Sequence, residues 1–250
     1  MMRKVRADEL LCRQQQGLSR TRAKALILGG KVLLETQRIE KPGQLLSSER
    51  RLKLIAPPQY VSRGAEKIAT YLENYPLEIC RKTILDVGAS TGGFTDYLLQ
   101  KGAAHATCID VGRNQLHPRL QSDPRIINIE RCNARYLEQV KLPYHQYPIV
   151  VMDLSFISLR KVLIPVWKRV VMGGHLITLV KPQFEAKKNE VDKGRGIIND
   201  PEIQKRILAE LQNFIQKNLL MATLPKIIQS KITGMDGNQE YLLGIEKKST

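Results

Sequence analysis

The sequence predicts an α/β fold: a doubly wound, seven-stranded and mostly parallel sheet, preceded by a small basic α+β domain. Three observations lead there. Beyond residue 58, short apolar runs alternate with helical stretches, the pattern of parallel strands joined by crossover helices. The first of those strands, residues 83–87, runs directly into the glycine-rich segment Asp86-Val87-Gly88-Ala89-Ser90-Thr91-Gly92-Gly93-Phe94-Thr95. The first 58 residues hold 13 Lys/Arg against 5 Asp/Glu, so half of the formal net charge of +16 is concentrated in under a quarter of the chain. With domains commonly spanning about 100 to 200 residues, 250 residues suit one large domain and one small one.

In the basic segment, residues 6–16 read as a short helix stopped by Gly17. Ser19 is a good N-cap for a second helix to Leu28, closed by Gly29-Gly30. Strand-like runs follow at 31–34, 37–39 and 51–55, with Pro42-Gly43 as a turn and Pro57-Pro58 as a stiff linker. The expected boundaries are a first domain over 1–58, a linker over 59–64 and a second domain over 65–250. The strands of the second domain are expected at 83–87, 106–110, 125–129, 148–153, 175–180, 223–228 and 240–245, with helices at 92–100, 158–171 and 201–217. The polar stretch 185–199 reads as a long irregular loop of the kind that often serves as a lid.

A positive surplus of this size favours a polyanionic partner, because neutralising phosphates releases condensed counterions; nucleic acid leads and an anionic membrane surface follows. The most apolar long stretch, 162–180, is interrupted by Lys168, Arg169, Gly173, Gly174 and His175 and does not meet the ~20-residue requirement of a membrane span. The N-terminus lacks the apolar core of a secretory signal, and Cys12, Cys80, Cys108 and Cys132 are too widely spaced for a zinc site. The expectation is a cytoplasmic protein with reduced thiols, without a membrane partner or a metal.

The spacing inside the glycine turn selects its ligand. A dinucleotide fingerprint needs a glycine where Ser90 stands, and a P-loop needs a lysine where Phe94 stands, so phosphate-bearing nucleotides fit poorly. Asp86 at the end of the first strand suits a cationic or amino-acid-bearing ligand. Asp110, 24 residues later at the end of the next strand, can accept hydrogen bonds from both hydroxyls of a ribose. Together they suit S-adenosylmethionine, with Asp86, Gly88, Ala89, Ser90, Gly92, Gly93, Phe94 and Asp110 as cofactor-binding candidates, and Asn133 near the adenine.

Four runs carry a resemblance to a known family: Tyr60-Val61-Ser62-Arg63-Gly64, the glycine turn extended to Asp96, Asp153-Leu154-Ser155-Phe156-Ile157-Ser158-Leu159, and Leu179-Val180-Lys181-Pro182-Gln183-Phe184-Glu185. They resemble the TlyA family, known both as haemolysins and as ribosomal RNA 2′-O-methyltransferases. The resemblance implies an S4-like RNA-binding domain followed by a Rossmann-like, FtsJ-type, S-adenosylmethionine-dependent methyltransferase domain. It also implies a cytidine 2′-hydroxyl of 16S and/or 23S rRNA as substrate, presented within ribosomal particles. A Lys-Asp-Lys-Glu tetrad is implied at Lys67, Asp153, Lys181 and Glu240. The chain departs from the family by placing Ala65-Glu66 before Lys67, and by having Arg6-Ala7-Asp8 where Arg-Leu-Asp is usual.

A ribose hydroxyl is a poor nucleophile, whereas a sulfonium methyl is already activated, so the chemistry requires alignment and removal of one proton. Lys181 is expected to accept that proton or stabilise the alkoxide, with Asp153 holding it and Lys67 and Glu240 orienting the ribose. Arg6, Arg20, Arg22, Lys24, Lys31 and Arg63 are the expected phosphate contacts. Two other classes compete: a membrane-active haemolysin, which needs an insertion segment, and a ribosome-binding protein without catalysis.

Overall fold

A computed structural model describes residues 3–55 and 58–249, and the chain divides into two compact units between Gln59 and Tyr60. Pro57, half of the expected stiff linker, lies outside the described residues.

The first unit contains β1 (Lys4–Arg6), α1 (Ala7–Gln14), α2 (Arg20–Leu28), β2 (Val32–Leu34), β3 (Gln37–Arg38), β4 (Leu45–Ser47) and β5 (Leu52–Leu54). Strands β1 and β4 pair antiparallel, and β3-β2-β5 form a second antiparallel sheet. Neither β1 nor β4 is among the expected strands; each is three residues long, too short for an alternation to declare itself. Ser19 caps α2 by accepting from the Arg22 amide at 3.3 Å, and Leu10, Leu11, Ala23, Ile27 and Val32 close the small core. Asp8 is fully buried at the start of α1, where it accepts from the Arg6 guanidinium at 3.0 and 3.1 Å and from Arg20 at 3.3 Å.

The second unit runs α3 (Gly64–Asn74), β6 (Thr83–Val87), α4 (Gly93–Gln100), β7 (His105–Ile109), α5 (Pro118–Gln121), β8 (Ile126–Ile129), β9 (Tyr147–Met152), α6 (Leu163–Trp167), β10 (Val170–Val180), α7 (Pro182–Glu185), α8 (Lys188–Lys193), α9 (Pro201–Asn218), β11 (Lys226–Gln229) and β12 (Tyr241–Glu246). Its seven-stranded sheet has the order β11-β12-β10-β9-β6-β7-β8, in which β12 alone runs antiparallel to its neighbours. The order reverses between β6 and β9, and an open α/β sheet binds its ligands at the carboxyl edge beside such a reversal.

The central strands are buried on both faces, as parallel strands between helical layers must be. Along β9, Ile149 and Val151 join the core on one face, with Ile68, Phe94 and Leu98; Val150 and Met152 join the other, with Ile207 and Leu211. Helix α9 presents Ile207, Leu211 and Ile215 at four-residue spacing, and Asp200 caps it by accepting from the Glu202 amide at 2.9 Å.

Three expectations need correction. The helix over 158–171 is a 3-10 turn at Leu159–Lys161 followed by the five-residue α6, and Val170-Val171 already belong to β10. The β-branched pair finds a sheet partner in Tyr147, with an irregular register between Val170 and His175 where Gly173-Gly174 bend the strand. The stretch 185–199 is not wholly irregular, because α8 occupies its middle. Finally, α3 is a helix not among those expected, although Ala65, Ile68, Tyr71 and Leu72 mark a buried stripe at helical spacing.

Candidate active site

The sheet register assembles the site. Val87 lies opposite both Ile109 and Met152, and Val180 opposite Tyr241, so the residues just beyond these positions meet along one edge. Gly88 and Asp110 follow parallel strands, Asp153 and Lys181 follow β9 and β10, and Glu240 arrives there because β12 runs the other way.

The turn after β6 depends on glycine. Gly88 has φ +81°, and a Cβ there would run into the Asp153 carbonyl; Gly93 could not gain one without striking the Ser62 hydroxyl. Gly92, at φ +90°, packs against Leu116 and Leu120 and does not line the neighbouring cavities. Ser90 is also left-handed, at φ +48°, which turns its amide to donate to Asp110 Oδ2 at 2.8 Å. Asp110 Oδ1 accepts from the Gly112 amide at 2.7 Å, and each carboxylate oxygen keeps a second lone pair for a ligand.

Asp86 and Phe94 support this turn from beneath. The Asp86 carboxylate is 1 % exposed and accepts from the Thr95 amide at 3.2 Å and the Thr95 hydroxyl at 2.7 Å. Burial pushes its pKa up to about 7 against the Thr95 hydrogen bonds, and the neighbouring Asp153 and Asp110 push in the same direction. Phe94 packs into the core beside Leu98 and Ile68.

Two cavities meet here. One, of about 490 Å³, is lined by Asp110, Val111, Asn133 and Arg135; the other, of about 610 Å³, by Ser62, Arg63, Lys67, Lys181, Met235 and Glu240. They share Gly88, Ser90, Asp153, Ser155 and Phe156. Asn133 lines the first but spends its carbonyl capping a turn, accepting from the Arg135 amide at 3.1 Å.

All four tetrad positions line the second cavity, as two ion pairs: Lys67 to Glu240 at 2.6 Å and Lys181 to Asp153 at 2.5 Å. Lys181 also donates to the Ser155 hydroxyl at 3.0 Å. Each lysine therefore has its own carboxylate.

Sequence reasoning missed several supports. Glu185 accepts from the Ser158 hydroxyl at 2.7 Å and the Leu159 amide at 2.6 Å, holding the segment after Asp153; burial raises its pKa. Phe156 is 89 % exposed at the rim shared by both cavities, in a left-handed conformation at φ +63°, with its ring 5.2 Å from that of Phe184. Such a backbone is rare for a bulky residue and marks a position held by its surroundings. Ser155, Phe156 and Glu185 all stand in the motif runs quoted above, which was the available signal.

The expected phosphate contacts separate into two groups. Arg6 and Arg20 are bound by Asp8, and Arg20 also by Glu9 at 2.9 Å. Arg22, Lys24 and Lys31 are exposed and form no salt bridge among the described residues; Arg63 is exposed beside the second cavity. No helix is long and apolar enough to cross a membrane, and no group of His, Cys, Asp or Glu suited to a metal occurs among the described residues.

The chain is 36% identical to the 16S/23S rRNA (cytidine-2′-O)-methyltransferase TlyA of Mycobacterium tuberculosis, over 100% of this chain and 92% of that one. It is 34% identical to Hemolysin A of Brachyspira hyodysenteriae, over 95% of this chain and 98% of that one. A solved structure from Streptococcus thermophilus has a TM-score of 0.73 at 35% identity, covering 100% of this chain and 90% of that chain. At 16% identity, the O-methyltransferase of Bacillus cereus solved with SAH has a TM-score of 0.52 over 76% of this chain and 84% of that one, and so shares the Rossmann-like fold. Residues 60–247 match the model of the FtsJ-like methyltransferases, and the chain belongs to that family.

Proposed function

We propose that the protein transfers a methyl group from S-adenosylmethionine to a cytidine 2′-hydroxyl of ribosomal RNA, within ribosomal subunits. The observation that carries this reading is the joining of two cavities at Gly88, Ser90 and Asp153, with a carboxylate-lined turn on one side and the two Lys–carboxylate pairs on the other. The turn fits the cofactor: Asp86, Asp110 and Asp153 favour a cationic ligand without phosphate, Asp110 has lone pairs for ribose hydroxyls, and Val111 and Asn133, which line the same cavity as Asp110, would hold the base.

Bound there, the cofactor supplies an activated methyl group. The chain's own residues do the rest. Lys67 and Glu240 orient the ribose. Lys181, having first released one ammonium proton to solvent, would accept the hydroxyl proton as the O–H bond breaks and the methyl group passes from sulfur to the ribose oxygen, and Asp153 would stabilise the ammonium so restored. The first unit, with Arg22, Lys24 and Lys31 exposed, serves as an S4-like RNA grip, and Arg63 adds a cation at the cavity rim.

The test is transfer of radiolabelled methyl groups to ribosomal subunits lacking the modification, followed by nucleotide mapping. Label on a cytidine ribose is expected. Label on a base, or none with the cofactor bound, refutes the proposal. Among the described residues no structural observation favours the haemolysin reading.

A further inference from the structure

Asn238 is fully buried two residues before Glu240, and both ends of its amide are used. Its Nδ2 donates to the Gly196 carbonyl at 2.9 Å and its Oδ1 accepts from the Ile198 amide at 2.9 Å. These are the closing residues of the segment that follows Phe184 and Glu185, where Arg195 and Gly196 are successively left-handed at φ +51° and +89°. The Ile198 carbonyl accepts from Gln204 at 2.6 Å, and Gln204 in turn accepts from the Tyr241 hydroxyl at 2.7 Å. The polar chain thus runs Asn238, Ile198, Gln204, Tyr241 and brackets Glu240 from both sides. Gln239 adds donations to the carbonyls of Ser230 at 3.0 Å and Glu240 at 2.8 Å.

The bracketed segment has its own charge. Lys187, Lys188, Lys193 and Arg195 are all exposed on it against one exposed carboxylate, Asp192, while Glu190 is taken up by a two-pronged contact from Arg206 at 2.7 and 2.8 Å. Cations on a segment that follows the cavity-lining Gln183 and Phe184 suit a phosphate backbone.

We propose that Asn238 is a positioning residue: through Gly196 and Ile198 it locks Glu240, and through Glu240 the ammonium of Lys67, to the segment 187–198 that carries these cations, so that seating an RNA backbone on that segment and orienting the ribose hydroxyl are one mechanical event. This rests on the RNA methyl-transfer reading. An amide suits the task because the clamp needs one donor and one acceptor at a single buried position, and unmade hydrogen bonds there are costly.

Two variants of the full chain test it. Asn238→Ala removes both contacts; Asn238→Asp keeps the acceptor but, when ionised, lacks the donor. Both are expected to bind cofactor with close to the original affinity by calorimetry, yet to lose roughly tenfold in single-turnover transfer to unmodified ribosomal subunits. The activity of Asn238→Asp relative to the unaltered chain should rise as the pH is lowered, because a protonated carboxyl again donates to Gly196; Asn238→Ala should show no such recovery. Trypsin should cut both variants faster at Lys193 and Arg195. Transfer at the original rate in Asn238→Ala, or a loss accounted for by cofactor affinity, overturns the inference. If the unaltered chain itself transfers nothing to ribosomal RNA, the functional reading fails, and unchanged tryptic cleavage in the variants then removes the clamp as well.

Discussion

Replacing Asp86 with asparagine should stabilise the cofactor-free protein, and do so only above mildly acidic pH. The carboxylate is 1 % exposed and its pKa is raised from 3.8 to about 7, chiefly by burial. Over that interval the folded chain keeps a proton that the unfolded chain has released. Stability from this group is therefore complete below about pH 4 and is lost as the pH rises through about 7. The gap of about three pH units, at about 1.36 kcal/mol each, comes to about 4 kcal/mol, an upper figure for an ionised carboxylate held there. The asparagine side chain has no charge to lose, and its amide oxygen can still accept from the Thr95 amide and hydroxyl, which now reach Asp86 Oδ2. Urea unfolding of both proteins without cofactor, at a series of pH values, reads the difference. It should widen by about 1.4 kcal/mol per pH unit between about pH 5 and 7 and then level off. A difference independent of pH would refute the reasoning, because it would mean that the carboxylate is not desolvated in the fold.

Three other outcomes are expected. Lys181→Ala should lower single-turnover methyl transfer by about a hundredfold or more while leaving cofactor affinity near normal, since Lys181 lines the second cavity and not the one that holds Asp110; near-normal transfer would remove it from the proposed chemistry. Asp110→Ala should weaken cofactor binding by roughly tenfold to a hundredfold in calorimetry, because the amides of Ser90 and Gly112 lose the acceptor that shapes the turn. Neutralising Arg22, Lys24 and Lys31 together to glutamine should weaken RNA binding and lower the slope of log affinity against log salt by about 2, and an unchanged slope would exclude them as phosphate contacts.

Much of this architecture is legible where burial and strand pattern coincide. The strand expected at 83–87 forms as β6, because an apolar run closed by a glycine turn has few alternatives. Of the tetrad, Asp153 and Lys181 stand in the motif runs, whereas Lys67 and Glu240 are legible only as what the family resemblance implies: nothing in their spacing, 173 positions apart, signals that an antiparallel last strand brings them within 2.6 Å. Residues 162–171 mislead because an apolar run without clear periodicity fits a helix or a strand equally, and pairing of Val170 with Tyr147 decides the matter through a distant partner. Arg6 and Arg20 show the limit of reading charge along the chain, since the buried Asp8 that binds them looks in sequence like any acidic residue in a first helical turn.

The reversed direction of β12 also sets an order of events during synthesis. β11 pairs only with β12 in the sheet, and Glu240 stands at the start of β12, so neither this edge nor the Lys67 partnership can form until the ribosome has delivered those late residues. Everything that shapes the glycine turn, from Ser62 to Asp153, is made earlier. The residues that shape the cofactor turn thus leave the ribosome before the residue that completes the tetrad.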